Sequence, residues 1–345
     1  MFRFVKVSLR FVGFLFAAVA LLGGCASKTN KISKCVERRA IYDVGSGSTK
    51  LKLADVNFCK AKIEKVIYEN AYPVDYAADA GHSKSKLLSL SIRKAGINAL
   101  EKLQSEATSY QPKKSLAVMT GIFRKASNAE VYRAQLQKKF GFKFKVVSQD
   151  LEARYGFESV RAGMNLDPEN LVIWDIGGST MQFAAKKKGA WIMDLKDAAS
   201  VQFKEDFILK IQRKNPKKVY SPNPVGVANI ERGIALARKA AHSISAETKF
   251  ALADPKAEIV GIGGVHRFSV AGQTGQKTSY DLKALQKTLP KQAVKTDQQI
   301  GGEYSATEVS NLMLVAGFTE ELGIRKVRIG RADISDGVLL HSESW

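Results

Sequence analysis

Ala40-Ile-Tyr-Asp43-Val-Gly45-Ser46-Gly47-Ser48-Thr49-Lys50 and Leu171-Val-Ile-Trp-Asp175-Ile-Gly177-Gly178-Ser179-Thr180-Met181-Gln182 are two copies of one pattern. In each, an apolar strand closes on an Asp, glycines and small hydroxyl residues turn the chain, and a second strand-like run leaves the turn. Glycine admits φ > 0 and lets backbone approach a ligand closely. Successive N–H groups in such a turn form a concave nest for phosphate oxygens. The Asp then stands where a hard cation such as Mg²⁺ would sit beside that phosphate. A single loop of this kind is ordinary turn chemistry. Two of them, with every part repeated, predict a clamp that holds a polyphosphate from both sides.

Competing phosphate motifs do not fit. No G-x-x-x-x-G-K-S/T occurs, and Gly177-Gly178 lacks the third glycine of a dinucleotide fingerprint and leads into a strand. No G-x-S-x-G elbow or S-x-x-K surrounds the loop serines, which excludes a supported serine nucleophile. The four histidines, His82, His242, His266 and His341, are scattered without metal-ligand spacing.

With the two loops in hand, the chain resembles the actin/hexokinase superfamily of phosphotransferases. More narrowly, it resembles the exopolyphosphatase and guanosine pentaphosphate phosphohydrolase family. Leu116-Ala-Val-Met-Thr120-Gly-Ile-Phe-Arg124-Lys-Ala-Ser-Asn128 is similar to that family's Thr-x-x-x-Arg-x-x-x-Asn segment. Val147-Ser148-Gln-Asp-Leu-Glu152-Ala153-Arg154 is similar to its Glu-Ala-Arg motif, Ile259-Val-Gly261-Ile-Gly263-Gly264 to its late glycine-rich strand end, and Arg331 to Leu340 to its closing helix. The resemblance covers about residues 38–345 in order. It implies an α/β fold of two actin-like (ribonuclease H-like) domains with mixed sheets and an active-site cleft between them.

The resemblance also implies roles. Glu152 would deprotonate the attacking water, Arg124 would neutralise charge on the transferred phosphoryl group, and Gln182 would hold the water. Gly45, Ser46, Gly47, Ser48 and Thr49 would bind one phosphate, and Gly177, Gly178, Ser179 and Thr180 another. Asp43 and Asp175 would hold Mg²⁺. The implied reaction is hydrolysis of a phosphoanhydride, with inorganic polyphosphate, (p)ppGpp or another nucleotide as substrate. The family's second loop has three glycines and ends Ser-Thr-Glu, whereas an ungapped alignment puts Ser179 at the third glycine and Gln182 at the Glu. Gln there is also the pattern of apyrases, so an apyrase-like nucleotide hydrolase stays open. A non-catalytic polyanion-binding lipoprotein stays open for the same reason.

The N-terminus reads as an address. Arg3, Lys6 and Arg10 precede a continuous apolar-and-small run from Phe11 to Leu22, a signal-peptide core too short to span a membrane comfortably. The run ends Leu22-Gly23-Gly24-Cys25, which resembles a bacterial lipobox with Cys25 lipidated. The expected divisions are therefore a lipoprotein signal at 1–24, a tether at 25–38, a first domain at 39–158 and a second at 159–345. A lipid anchor on the periplasmic face of a bacterial membrane follows, with the outer membrane favoured because no Asp stands beside Cys25. Cys35 and Cys59 each lie twelve residues from Gly47, so an antiparallel hairpin places them opposite one another as a candidate disulfide in that oxidising compartment.

Removing Arg3, Lys6 and Arg10 with the leader takes the formal charge from +21 to +18. That excess concentrates polyanions near the surface, and polyphosphate or phospholipid headgroups suit it. No recognised nucleic-acid module is present, so no nucleic-acid partner is expected; a homodimer is left open. Strands are expected near 39–44, 50–56, 63–69, 115–120, 142–147, 171–176, 181–185, 190–195, 258–262 and 326–330. Helices are expected over 83–105 and 129–140, and from Ser148 onward with Glu152 in the first turn.

Overall fold

The computed structural model describes residues 35–197 and 199–345. The expected leader, Cys25 and the tether up to residue 34 lie outside the described residues. Among those described, no helix is long and apolar enough to cross a membrane.

The first half opens with an antiparallel meander of β1 (Val36–Val44), β2 (Ser48–Asn57) and β3 (Lys62–Pro73). It continues through α1 (Tyr76–Gly81), α2 (Leu90–Thr108), β4 (Lys114–Met119), α3 (Ala129–Phe140) and β5 (Lys143–Val146). The five strands order as β3-β2-β1-β4-β5, with β4 parallel to β1 and β5 parallel to β4. Helix α4 (Gln149–Met164) then leads into a second meander, β6 (Leu171–Ile176), β7 (Met181–Lys187) and β8 (Ala190–Lys196). Helices α5 (Ser200–Lys210), α6 (Ile230–Ala241) and α7 (Ala246–Ala253) precede β9 (Glu258–Ile262). A π-helical turn, Val265–Val270, runs into α8 (Ala271–Thr274). After it come β10 (Ser279–Tyr280), α9 (Leu282–Ala293), α10 (Asp297–Ile300), α11 (Ser305–Glu321), β11 (Val327–Ile329) and α12 (Ile334–Leu340). The second sheet orders as β10-β11-β9-β6-β7-β8. Both sheets are mixed, and helices cover both faces of each, as the α/β expectation required.

Strand alternation decides which side chains can meet. On β1, Ala40, Tyr42 and Val44 join Leu51, Leu53, Leu100 and Leu103 in a core under α2 and α3. Ile41 points the other way and packs with Val118 of β4, Tyr155 of α4, and Val338 and Leu339 of α12. On β6, Val172, Trp174 and Ile176 enter the large core with α5, α6 and α11, whereas Leu171 and Ile173 pack on Phe157 and Val160 of α4. With a period of two residues, Asp43 and Asp175 therefore leave their strands on the faces that look at α4. The sheet pattern has aimed both carboxylates at one helix.

Helix α12 packs on the first sheet although it follows the second in sequence. Arg39 donates from Nη1 to the Leu339 carbonyl at 3.0 Å. The buried Lys52 ammonium bonds Asp336 at 2.8 Å and Asp333 at 3.1 Å. Asp333 also caps α12, in a capping box with Asp336.

Three expectations need correction. β1 begins at Val36, inside the expected 25–38 tether, because its charged residues are partnered: Arg38 binds Asp55 at 2.8 Å, and Arg39 binds Glu37. Cys35 and Cys59 are disulfide-bonded, with Cα atoms 5.5 Å apart. Their register is offset, however: Val36 faces Asn57 and the ladder closes with Phe58 N–H on the Cys35 carbonyl, so Cys59 lies one residue past the position opposite Cys35. The helix expected over 83–105 starts only at Leu90, as α2, after a non-helical stretch at 82–89. Ser89 stops it running through, since its Oγ caps α2 by accepting from Ile92 N while its own N–H is held by Asp79.

Candidate active site

The two glycine loops are built alike and meet. Gly45 N–H closes the first turn on the Ser48 carbonyl at 2.9 Å, and Gly177 N–H closes the second on Thr180 at 2.9 Å. The Ser46 and Ser179 hydroxyls stand 2.6 Å apart, so the loops face each other as the clamp reading expects. A third segment joins them: Ile122 N–H donates to Ser46 Oγ at 2.9 Å, from the turn after β4.

The turn bonds refine the phosphate-binding set. Gly45 and Gly177 spend their N–H groups inside their own turns, so the donors that can face a ligand lie further round, on Ser46, Gly47, Gly178 and Ser179. Thr49 does not reach the mouth, because alternation in β2 buries it fully on the side of Leu51 and Leu53. Thr180 is buried at the base of its turn, and Ser48 opens β2.

Gly121 makes the convergence of the three segments feasible. Its φ is +58°, a conformation that penalises a side chain, and a Cβ there would lie 2.1 Å from Ser46 Oγ and 2.6 Å from Ser179 Oγ. Gly121→Ala should therefore lose about 1–2 kcal/mol of stability to the left-handed backbone alone. Displacing the two hydroxyls should lower kcat/KM by up to about 10²-fold, the scale of a 1 Å misplacement. Thermal melts and steady-state kinetics of this variant check both effects.

Behind the clamp, Glu152 lies buried in the first turn of α4, with Ser148 at the N-cap. Arg124 Nη1 bonds Glu152 Oε2 at 2.7 Å and the Val147 carbonyl at 3.1 Å, while buried Arg124 Nη2 has no hydrogen-bond partner. Burial raises the Glu152 carboxyl above its ordinary pKa, against the opposing pull of the Arg124 guanidinium. Gln182 donates to Asp175 Oδ2 at 2.9 Å and accepts from Gln149 Nε2 at 3.2 Å. Its amide is thus engaged on Asp175, and it also favours the ionised form of Glu152.

Asp175 is pushed up to about 7, first by burial and then by the Glu152 charge. Asp43 is raised as well, by burial first, with Lys50 opposing. Lys50 Nζ lies 3.3 Å from Asp43 Oδ2, and Asp43 Oδ1 is buried with no hydrogen-bond partner. An orphaned carboxylate oxygen, on a side chain whose charge reaches a second buried carboxylate, suits a cation. Among the described residues no cluster of three or more His, Cys, Asp or Glu side chains forms a protein-only cage. The donor set fits Mg²⁺, which is bound by one or two carboxylates and completes its shell with water and phosphate.

Sequence reading overlooked Lys50 and Gly121. The signal for Lys50 was present, since the hairpin register sets it opposite Asp43. Gly121 carried no signal, because its neighbours come from two distant loops. His266 is a structural residue: burial drives it down to about 3, and its Nδ1 pairs with the Tyr280 hydroxyl at 2.6 Å.

The Ppx/GppA phosphatase family matches this chain over residues 78–340, which takes in the second loop, Arg124 and Glu152. A guanosine-5'-triphosphate,3'-diphosphate pyrophosphatase from Pseudoalteromonas translucida is 39% identical over 72 residues, or 21% of this chain. That aligned stretch spans only 14% of the relative's length. A Ppx/GppA family structure from Aquifex aeolicus superposes with a TM-score of 0.68 at 16% identity, covering 88% of this chain and 97% of that one. An exopolyphosphatase from Cytophaga hutchinsonii superposes with a TM-score of 0.70 at 14% identity, covering 88% and 96%. At such identities these two likenesses speak for the fold. With the family match running through most of both halves, the chain belongs to the Ppx/GppA phosphatase family.

Proposed function

We propose that this protein releases the terminal phosphate of inorganic polyphosphate. The observation that carries the reading is the buried Glu152–Arg124 pair behind two identically closed, facing glycine loops. In this reading the N–H groups of Ser46, Gly47, Gly178 and Ser179 hold the phosphate oxygens. Glu152 takes the proton from an attacking water, a contribution of about 10²–10⁴-fold. Arg124 has a guanidinium nitrogen without a partner, which leaves it able to bind the transferred phosphoryl group while it orients Glu152. Asp43 and Asp175 would hold Mg²⁺, which when bound neutralises phosphate charge.

The test is phosphate release from long-chain polyphosphate, ATP and guanosine pentaphosphate in parallel, with and without a chelator. Release from polyphosphate should be fastest and should disappear on chelation, returning with added Mg²⁺. Release that ignores the chelator would remove the metal role, and faster release from the nucleotides would move the substrate to that class. The second reading, an apyrase-like hydrolase, draws on Gln182, whose amide is bonded to Asp175. The Leu22-Gly23-Gly24-Cys25 segment and the Cys35–Cys59 disulfide support a lipid-anchored protein in an oxidising, extracytoplasmic compartment.

A further inference from the structure

The α5 lysine, Lys204, is only 4% exposed, and among the described residues its ammonium forms no ion pair or hydrogen bond. Its recorded contact is the Tyr220 ring, whose centroid lies 4.2 Å from Nζ. A charge buried in this way is unfavourable unless something pairs with it, and burial lowers the lysine's pKa accordingly. Three carboxylates act on it through their charge without pairing with it: its α5 neighbour Glu205, which forms no ion pair with it, and Asp75 and Asp297, which are engaged elsewhere. Asp75 accepts from the Tyr220 hydroxyl at 3.2 Å, and Asp297 accepts from Ser221 and Asn223 at 2.8 Å each.

The position of Lys204 is tied to the clamp from both sides. At the start of α5, Val201 N–H bonds the Gly178 carbonyl at 2.9 Å, and Lys204 follows one turn later on the same helix face. Across from it, Val74 N–H bonds the Gly47 carbonyl and Ala77 N–H bonds the Ser46 carbonyl, which fixes Asp75 beside the first loop. The Tyr304 hydroxyl reaches the same Gly47 carbonyl at 3.0 Å. Lys204 is therefore one helical turn from the residue that holds the second loop, and Tyr220 over its ammonium is bonded to Asp75 in the segment that holds the first.

Building on the proposed reaction, we infer that Lys204 binds the phosphates of the condensed chain that lie beyond the one held by the clamp. Tyr220, held by a single hydrogen bond to Asp75, covers the ammonium until that part of the substrate takes its place. The ligand class is a condensed phosphate of at least three units, and orthophosphate is too short to reach the lysine.

The experiment is calorimetric binding of tripolyphosphate and of orthophosphate to the full chain and to Lys204→Met, a substitution of similar shape that removes the charge. Tripolyphosphate binding should weaken about tenfold or more, the scale of one hydrogen bond to a charged group, with orthophosphate binding unchanged. If Lys204→Met does not fold, Lys204→Gln serves with the same expectation. Unchanged tripolyphosphate binding, or equal weakening for both anions, overturns the inference. Wild-type protein that binds tripolyphosphate through Lys204 yet releases no phosphate would sustain this site and overturn the hydrolase reading alone. Absence of tripolyphosphate binding by the wild type would overturn both.

Discussion

Glu152→Gln is expected to reduce phosphate release by about 10²–10⁴-fold, the range for loss of a general base, while polyphosphate binding persists. The substitution keeps the volume and a hydrogen-bond acceptor for Arg124, so loss of rate without loss of binding points to the proton. The pH profile gives an independent check. Glu152 acts ionised, and its carboxyl titrates above its usual 4.5 because burial outweighs Arg124. Activity should therefore fall as pH drops through that raised value, placing the acid limb above the ordinary carboxylate range. In Arg124→Gln the opposing positive charge is gone, so the limb should move to still higher pH. Wild-type rates from Glu152→Gln would remove Glu152 from the proton transfer.

Gly337→Ala should be the most damaging small substitution outside the clamp. A Cβ at residue 337 would lie 2.1 Å from the Tyr155 carbonyl oxygen and 2.6 Å from that residue's backbone carbon atoms. These atoms belong to the backbone of α4, so no side chain can swing aside. The same contact is held by Gly337 N–H on Ser159 Oγ at 2.7 Å, and Ser159 in turn donates to the Tyr155 and Asp333 carbonyls. Overpacking of this kind typically destabilises by about 1–3 kcal/mol. Because α4 also carries Glu152, activity should fall together with Tm. Gly163→Ala on the same helix is the control: its nearest neighbour would be Ala332 Cβ at 3.7 Å, an ordinary contact. That variant should match or exceed the wild type in Tm, since Ala is favoured over Gly in a helix by up to about 1 kcal/mol. Equal melting of the two variants would mean that the α4–α12 contact relaxes freely.

The parts of this fold legible in the sequence are those set by local chemistry. Strands β6 and β9 and helix α3 fall where alternating and periodic apolar residues place them. Ser148 and Glu152 announced the start of α4. The repeated Asp-turn motif announced both loops, and counting from Gly47 came within one residue of the Cys35–Cys59 register. What escaped depends on tertiary placement. Ser89 ends up bound to Asp79, which delays the helix expected from 83 until Leu90. Gly121 matters because two hydroxyls from separate halves arrive beside it. Thr49 sat inside an attractive motif yet belongs to the core, since the strand resumes at Ser48, two residues earlier than expected. Lys204 resembled any lysine of a basic protein until burial and the absence of a carboxylate partner set it apart.

The packing of α12 on the first sheet bears on how the chain acquires and loses its structure. Arg39 finds its carbonyl partner 300 residues further along, and the face of the first sheet around Ile41 and Val118, partly covered by Val147 and Tyr155, is completed only when Val338 and Leu339 arrive. During synthesis the first half thus emerges with that surface incompletely covered and must wait for the other half to be made. Contacts of such sequence separation slow folding and favour a single cooperative transition over stepwise melting of the halves.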